Sequence, residues 1–187
     1  MTSRQPLLKP LQKQHVMDFK ELSAKRRSHR RFSPEPVDQK DIDLIVRAAL
    51  LSPTSKNRRD WKFIVVTERE TIADLSRAKD HGAELLSGAP LAIVVVGNPS
   101  ANDCWVEDCS IAAVTMQYQA EDLGLGSCWV QMRGRGVGDV PASEYIRKLL
   151  CLGEEDEVLC VLAIGRKLSP KDPHDEDSLK FSSVKYL

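Results

Sequence analysis

Two uninterrupted apolar runs, Leu91–Val96 and Val158–Ile164, limit what this chain can fold into. A strand with one wet face alternates apolar and polar residues, so runs without alternation read as strands buried on both faces. Both runs are far too short to cross a bilayer. Trp61–Thr67, β-branched and aromatic, and Ser127–Met132 read as two further strands, and Glu157–Gly165 as the full extent of the second run. The clearest helix begins near Trp105: Trp105, Cys109, Ala112 and Met116 trace one stripe, and Gly124 stands where a C-terminal cap belongs.

Asp18 and Glu21 have the spacing of a capping box, with Phe19 and Leu22 on one helical face. That helix is expected to run into the basic stretch Lys25–Arg31. A second helix is predicted from Asp38, with Ile42, Ile45 and Ala49 at helical spacing and Pro53 at its end. Glu68–Ala78 and Ser143–Leu150 read as two more. Helices precede the first strand and the order is not a regular βαβ alternation, so the expected class is α+β, a single layered domain. Met17 is a candidate alternative start, which makes residues 1–16 a polar N-terminal extension. After Gly165 the chain turns polar, with Pro170, Pro173 and an acidic patch. Such a tail has no core of its own and must lie on something or stay disordered.

Charge narrows the partners. Lys+Arg and Asp+Glu number 27 each, which gives no global pull toward nucleic acid or an anionic membrane. The five cysteines form no C-x-x-C, no histidine pair has metal-ligand spacing, and the N-terminus carries no secretory h-region. Free thiols, no metal and a cytoplasmic location are the expectations.

Four segments together resemble the FMN-dependent nitroreductase family. They are Arg26-Arg27-Ser28-His29-Arg30-Arg31-Phe32; Ser52-Pro53-Thr54-Ser55-Lys56-Asn57 with Trp61 four residues on; Ala89-Pro90 leading into the first apolar run; and Glu107-Asp108 followed by Gly124-Leu125-Gly126-Ser127-Cys128-Trp129. The resemblance covers residues 17–165. It implies a nitroreductase-like fold, a central mostly antiparallel sheet flanked by helices, an intertwined homodimer with FMN at the subunit interface, and a tail, 166–187, that wraps the partner subunit. It further implies electron-pair transfer from NADH or NADPH to a small organic acceptor (a nitroaromatic, quinone or enone) by a ping-pong mechanism. The alternatives are a specialised relative such as a reductive dehalogenase, or a flavin-binding module without turnover.

Each candidate residue has a plain reading beside the one the resemblance implies. An arginine-rich stretch is often a solvated face; the resemblance makes Arg26, Arg27 and Ser28 contacts to the FMN phosphate and ribityl chain. It sets Arg30 at the N1–C2=O edge, where negative charge develops when the flavin takes up a hydride, a catalytic electrostatic role. Pro53, Thr54, Ser55 and Asn57 suit an ordinary turn; the resemblance brings them to the flavin from the partner subunit. Trp129 is either core or a wall against the ring, and the backbone of Gln131 and Met132 is turned toward flavin N5 and O4. Relatives carry a tail cation facing the phosphate, where this chain reads Asp177-Ser178; Arg166 or Lys167 is the expected replacement. Arg59-Asp60 replaces the family's Gln-Pro before the tryptophan. His81, and Arg133 in the flexible basic loop Arg133–Gly138, are candidates for the substrate pocket.

Overall fold

Four strands form the central sheet of a computed structural model that describes residues 17–187, so the expected extension at 1–16 lies outside the described residues. They are β1 (Trp61–Val66), β2 (Leu91–Gly97), β3 (Leu125–Gln131) and, after the two-residue strands β4 (Gly136–Val137) and β5 (Val140–Pro141), β6 (Glu157–Arg166). The order is β1-β2-β6-β3 and every pairing is antiparallel.

The two apolar runs are the central strands β2 and β6, which is why neither alternates. Leu91, Ile93 and Val95 face a core shared with α2 (Gln39–Leu50) and α4 (Trp105–Asp122). Ala92, Val94 and Val96 face the opposite core, closed by α3 (Arg69–Leu75) and α5 (Ala142–Leu150). The expected α+β class and the sheet flanked by helices are both present. Among the described residues no helix is long and apolar enough to cross a membrane.

Several boundaries differ from the sequence reading, each for a local reason. The first helix, α1 (Phe19–Lys25), begins as expected: the Asp18 carboxylate accepts the Glu21 N–H at 2.8 Å. It stops at Lys25 rather than entering the basic stretch, because the next residues are captured by the sheet edge. Ser28 bridges Ser127 in parallel and the His29 N–H donates to the Ser127 carbonyl at 2.9 Å. β3 starts at Leu125, earlier than read, because Gly124 adopts φ +76 and turns the chain from α4 directly into the ladder opposite Arg166. α3 is shorter than the Glu68–Ala78 read for it. The basic segment expected to be a flexible loop is an ordered β4–β5 hairpin with Gly138 in its turn at φ +54.

β6 carries a bulge: Val95 pairs with Cys160 and Val96 with Val158, so Leu159 is the extra residue. Its carbonyl accepts two amides, Met132 N–H at 3.1 Å and Arg133 N–H at 3.0 Å. That double acceptor ends β3 and launches the hairpin.

All five cysteines are free, and Cys109, Cys128 and Cys160 are buried. Burial pushes their thiols up, that of Cys109 to about 12. Cys151 is exposed and Cys104 half-buried. A thiol-disulfide reagent at pH 8 is therefore expected to label Cys151, and Cys104 more slowly, in the native protein. The other three should react only after unfolding, and rapid native labelling of any of them would contradict this burial.

Candidate active site

The Arg26–Arg30 segment is extended, so its side chains alternate between faces. Arg26, Ser28 and Arg30 share the face that meets Cys128 on β3. Burial raises the Cys128 thiol pKa, while the charges of Arg30, Lys171 and Arg26 and a hydrogen bond with Ser28 act against that rise. Arg27 lies on the other face and donates to the backbone carbonyls of Asp172 and Pro173. His29 is buried. A Cβ on Gly126 would lie 2.8 Å from the His29 Cβ, so a side chain there would push the segment off the sheet.

Beyond Ser127 the outer edge of β3 has no strand partner among the described residues. The Met132 N–H reaches Leu159 across the Gln131–Cys160 pair, which makes that pair the non-hydrogen-bonded kind. By the same alternation the backbone N–H groups of Gln131 and Trp129 point off the free edge, whereas that of Met132 is consumed by β6. Of the two residues expected to offer amides, Gln131 is the one with a free donor. Trp129 is half-buried on the α4 side, its indole N–H held by the Gln131 side chain at 2.9 Å, and Gln131 donates onward to the Arg133 carbonyl at 2.9 Å.

Pro53, Thr54, Ser55 and Asn57 sit in the turn between α2 and β1, and its anchors are on α4. Asp108, buried in the first turns of α4, accepts the Ser55 N–H at 2.9 Å and the Asn102 side-chain amide at 2.8 Å. The Ser55 hydroxyl donates to the Asn102 side-chain amide oxygen Oδ1 at 3.4 Å. Lys56, Asn57 and Arg59 all take left-handed φ values of 53°, 53° and 58°. That backbone costs free energy for non-glycine residues and persists only where neighbours hold it. The described hydrogen bonds and ion pairs do not join this turn to Arg26–Arg30 of the same chain. Asp108→Ala leaves the buried Asn102 amide and the half-buried Ser55 N–H without an acceptor, so it is expected to cost about 1–3 kcal/mol, read from denaturant midpoints. Asp108→Asn should recover part of this, and a loss under about 0.5 kcal/mol for alanine would show that Asp108 is not the anchor.

The candidate tail cations are already committed. Lys167 pairs with the buried Glu121 at 2.6 Å, and Arg166 with Glu35 at 3.3 Å. The tail cation bonded to the basic segment is Lys171, whose ammonium donates to the Ser28 carbonyl at 2.8 Å and which lines a cavity with His29 and Lys167. Only its place next to Pro170 signalled it. His81 is exposed and lies in a cleft with Lys79 and the β4–β5 hairpin. Arg133 turns away and stacks over the Trp105 ring at 5.8 Å, so Arg135 is the hairpin arginine that lines the cleft. Lys79, Lys171 and Asn102 are site-region residues outside the motifs, and Asp108 belongs to the Glu107-Asp108 motif, which gave it no role.

This donor set suits a phosphate-bearing planar cofactor: cations and a hydroxyl gathered on one face, beside a sheet edge with unspent amides. Comparison with known proteins gives the family. Residues 24–79 and 74–166 match the nitroreductase family. A protein of Archaeoglobus fulgidus named NADH dehydrogenase/NAD(P)H nitroreductase is 35% identical over 159 residues, covering 81% of this chain and 87% of its own. The solved structure of an FMN-dependent nitroreductase from Clostridium difficile R20291 superposes with a TM-score of 0.86 at 40% identity, over 88% of this chain and 96% of that one. One from Bacteroides thetaiotaomicron, titled an NADH dehydrogenase/NAD(P)H nitroreductase, gives 0.81 at 29% identity, over 89% and 95%.

Proposed function

Because the chain belongs to the nitroreductase family, we propose that it is an FMN-dependent oxidoreductase that passes electron pairs from NADH or NADPH to a small organic acceptor. The observation that carries this reading is the basic segment Arg26–Arg30 bridged onto β3 at Ser28–Ser127, with Lys171 bonded to its Ser28 carbonyl and the free edge of β3 beyond it. FMN, when bound, would supply the hydride chemistry between the nicotinamide donor and a nitroaromatic, quinone or enone acceptor.

The chain's own residues bind and orient. Arg26 and Lys171 would hold the phosphate and Ser28 the ribityl chain. The Gln131 N–H would donate to the ring, with Trp129 bracing that stretch of edge through its bond to the Gln131 side chain. Arg30 would place a permanent positive charge where electron density accumulates. Arg27 and Lys167 support the site from behind, one pinning the tail backbone and the other neutralising Glu121.

A homodimer completes the reading. A groove of about 750 Å³ is lined largely by apolar side chains of α1, α2 and α4, including Phe19, Leu22, Ile111 and Val114. Phe19 is 69% exposed, on a face with no cover among the described residues. The tail, 166–187, would wrap a second copy, and the turn at Pro53, Thr54, Ser55 and Asn57, held out by Asp108, would rim the site of that copy. A cytoplasmic location fits the free thiols.

The test is optical. Purified protein should be yellow or take up added FMN, bleach with NADH or NADPH without oxygen, and recover its colour with a nitroaromatic or quinone. A colourless protein that binds no FMN would refute the proposal.

A further inference from the structure

The Lys79–Gly82 turn and the β4–β5 hairpin enclose a cleft of about 420 Å³ lined by Lys79, Asp80, His81, Arg135 and hairpin glycines. The two walls are tied together. The Asp80 N–H donates to the Gly136 carbonyl at 2.9 Å, and the Asp80 carboxylate accepts the Gly138 N–H at 3.3 Å. Glu84 accepts the Gly82 N–H at 3.0 Å. Both nearby carboxylates are thus engaged by backbone amides. Neither Lys79 nor Arg135 makes an ion pair with the described residues.

Two like charges therefore share the cleft without a direct ion pair, with Asp80 on the same lining and the Glu84 charge reaching Lys79. Burial, and then the charge of Arg135, lower the Lys79 pKa from its ordinary value. A merely solvated loop would let these side chains diverge, but Lys79 is half-buried and the hairpin is hydrogen-bonded. Gly136 also keeps the wall thin: a Cβ there would strike the Val140 carbonyl. Lys79 lies within electrostatic range of Cys128, the β3 residue beside the Arg26–Arg30 segment.

We propose that this cleft is an anion subsite, in which Arg135 and Lys79, with His81 at the rim, hold a phosphomonoester or carboxylate group of a reactant that visits the site. The proposal rests on the oxidoreductase reading above. A guanidinium fork matches either oxyanion with two parallel hydrogen bonds. The anion has two possible sources, the 2′-phosphate of NADPH and a carboxylate on the acceptor.

Calorimetric titration of the protein as purified separates them. One arm compares adenosine 2′,5′-bisphosphate with 5′-AMP, the other 4-nitrobenzoate with 4-nitrobenzamide. In one arm the anionic probe should bind about tenfold or more tightly than its counterpart. Arg135→Ala should abolish that advantage, Arg135→Lys retain part of it, and Lys79→Met reduce it. KM for the corresponding reactant should rise about tenfold in Arg135→Ala, with KM for NADH or the neutral acceptor within about twofold of wild type. If wild type and Arg135→Ala bind both anionic probes alike, the subsite is refuted. Failure of the same samples to bind added FMN would refute the oxidoreductase reading instead, whatever the titration gives.

Discussion

A chain truncated after Ser169 is expected to behave as a monomer in light scattering and to lose its hold on FMN, while keeping a cooperative unfolding transition. The cut spares Lys167, so the buried Glu121 keeps its partner. It also spares both cores, which contain no residue beyond Ile164. It removes Leu179, Phe181, Val184, Tyr186 and Leu187, all exposed on their own chain. If the second copy buries only Leu179, Phe181 and Val184, at roughly 1.5–3 kcal/mol each, the interface loses about 4–9 kcal/mol. A loss of that size exceeds what a dimer of ordinary affinity can spare at micromolar concentration. The cut also removes Lys171, so FMN affinity should fall for two reasons. Lys171→Ala separates them, because it should weaken FMN binding and leave the dimer intact. A truncated protein that stays dimeric and flavin-loaded would sink the wrapped-tail proposal.

Why the tail escaped a finer reading is instructive. Its apolar residues show no helical or alternating period, because no element of the described chain presents them to a core. Where burial is decided within one chain, the sequence was legible. The unbroken runs at β2 and β6 announced central strands, and the stripe from Trp105 to Met116 announced α4. The site was legible only as motifs. Period-2 alternation separates Arg26, Ser28 and Arg30 from Arg27, but it applies only once the segment is known to be extended. Likewise the free amide at Gln131 follows from the register of β3 on β6 and from the bulge at Leu159, which no local pattern encodes. The role of Asp108 was hidden because its partner, Ser55, lies 53 residues away. The Arg133–Gly138 segment looked flexible for its glycines, yet those glycines are what the tight hairpin requires.

Arg26 and Arg30 look equivalent in the sequence, and the site separates them by what each should change. Arg26→Ala is expected to weaken FMN binding by about 1.5–3 kcal/mol, roughly 10–150-fold in Kd, the scale of a charge-assisted hydrogen bond. The cofactor's phosphate keeps its charge in both redox states, so this loss should be the same for oxidised and reduced FMN. The midpoint potential of the saturated Arg26→Ala protein should therefore match wild type. Arg30 should behave differently. The oxidised ring is neutral at its N1–C2=O edge and the reduced ring is not, so a guanidinium there stabilises the reduced cofactor selectively. Only an interaction that strengthens along the reaction coordinate accelerates the chemical step. Arg30→Gln keeps hydrogen-bonding capacity and removes the charge. With the site saturated, it is expected to lower the midpoint potential by about 30–60 mV, the equivalent of about 1.4–2.8 kcal/mol for two electrons. Hydride transfer from NADH or NADPH should slow with it. Potentiometric titration of the two saturated variants side by side decides the matter. Equal potentials in Arg30→Gln and wild type would place Arg30 at the phosphate beside Arg26. A lowered potential in Arg26→Ala would mean that the segment lies along the cofactor in the opposite direction.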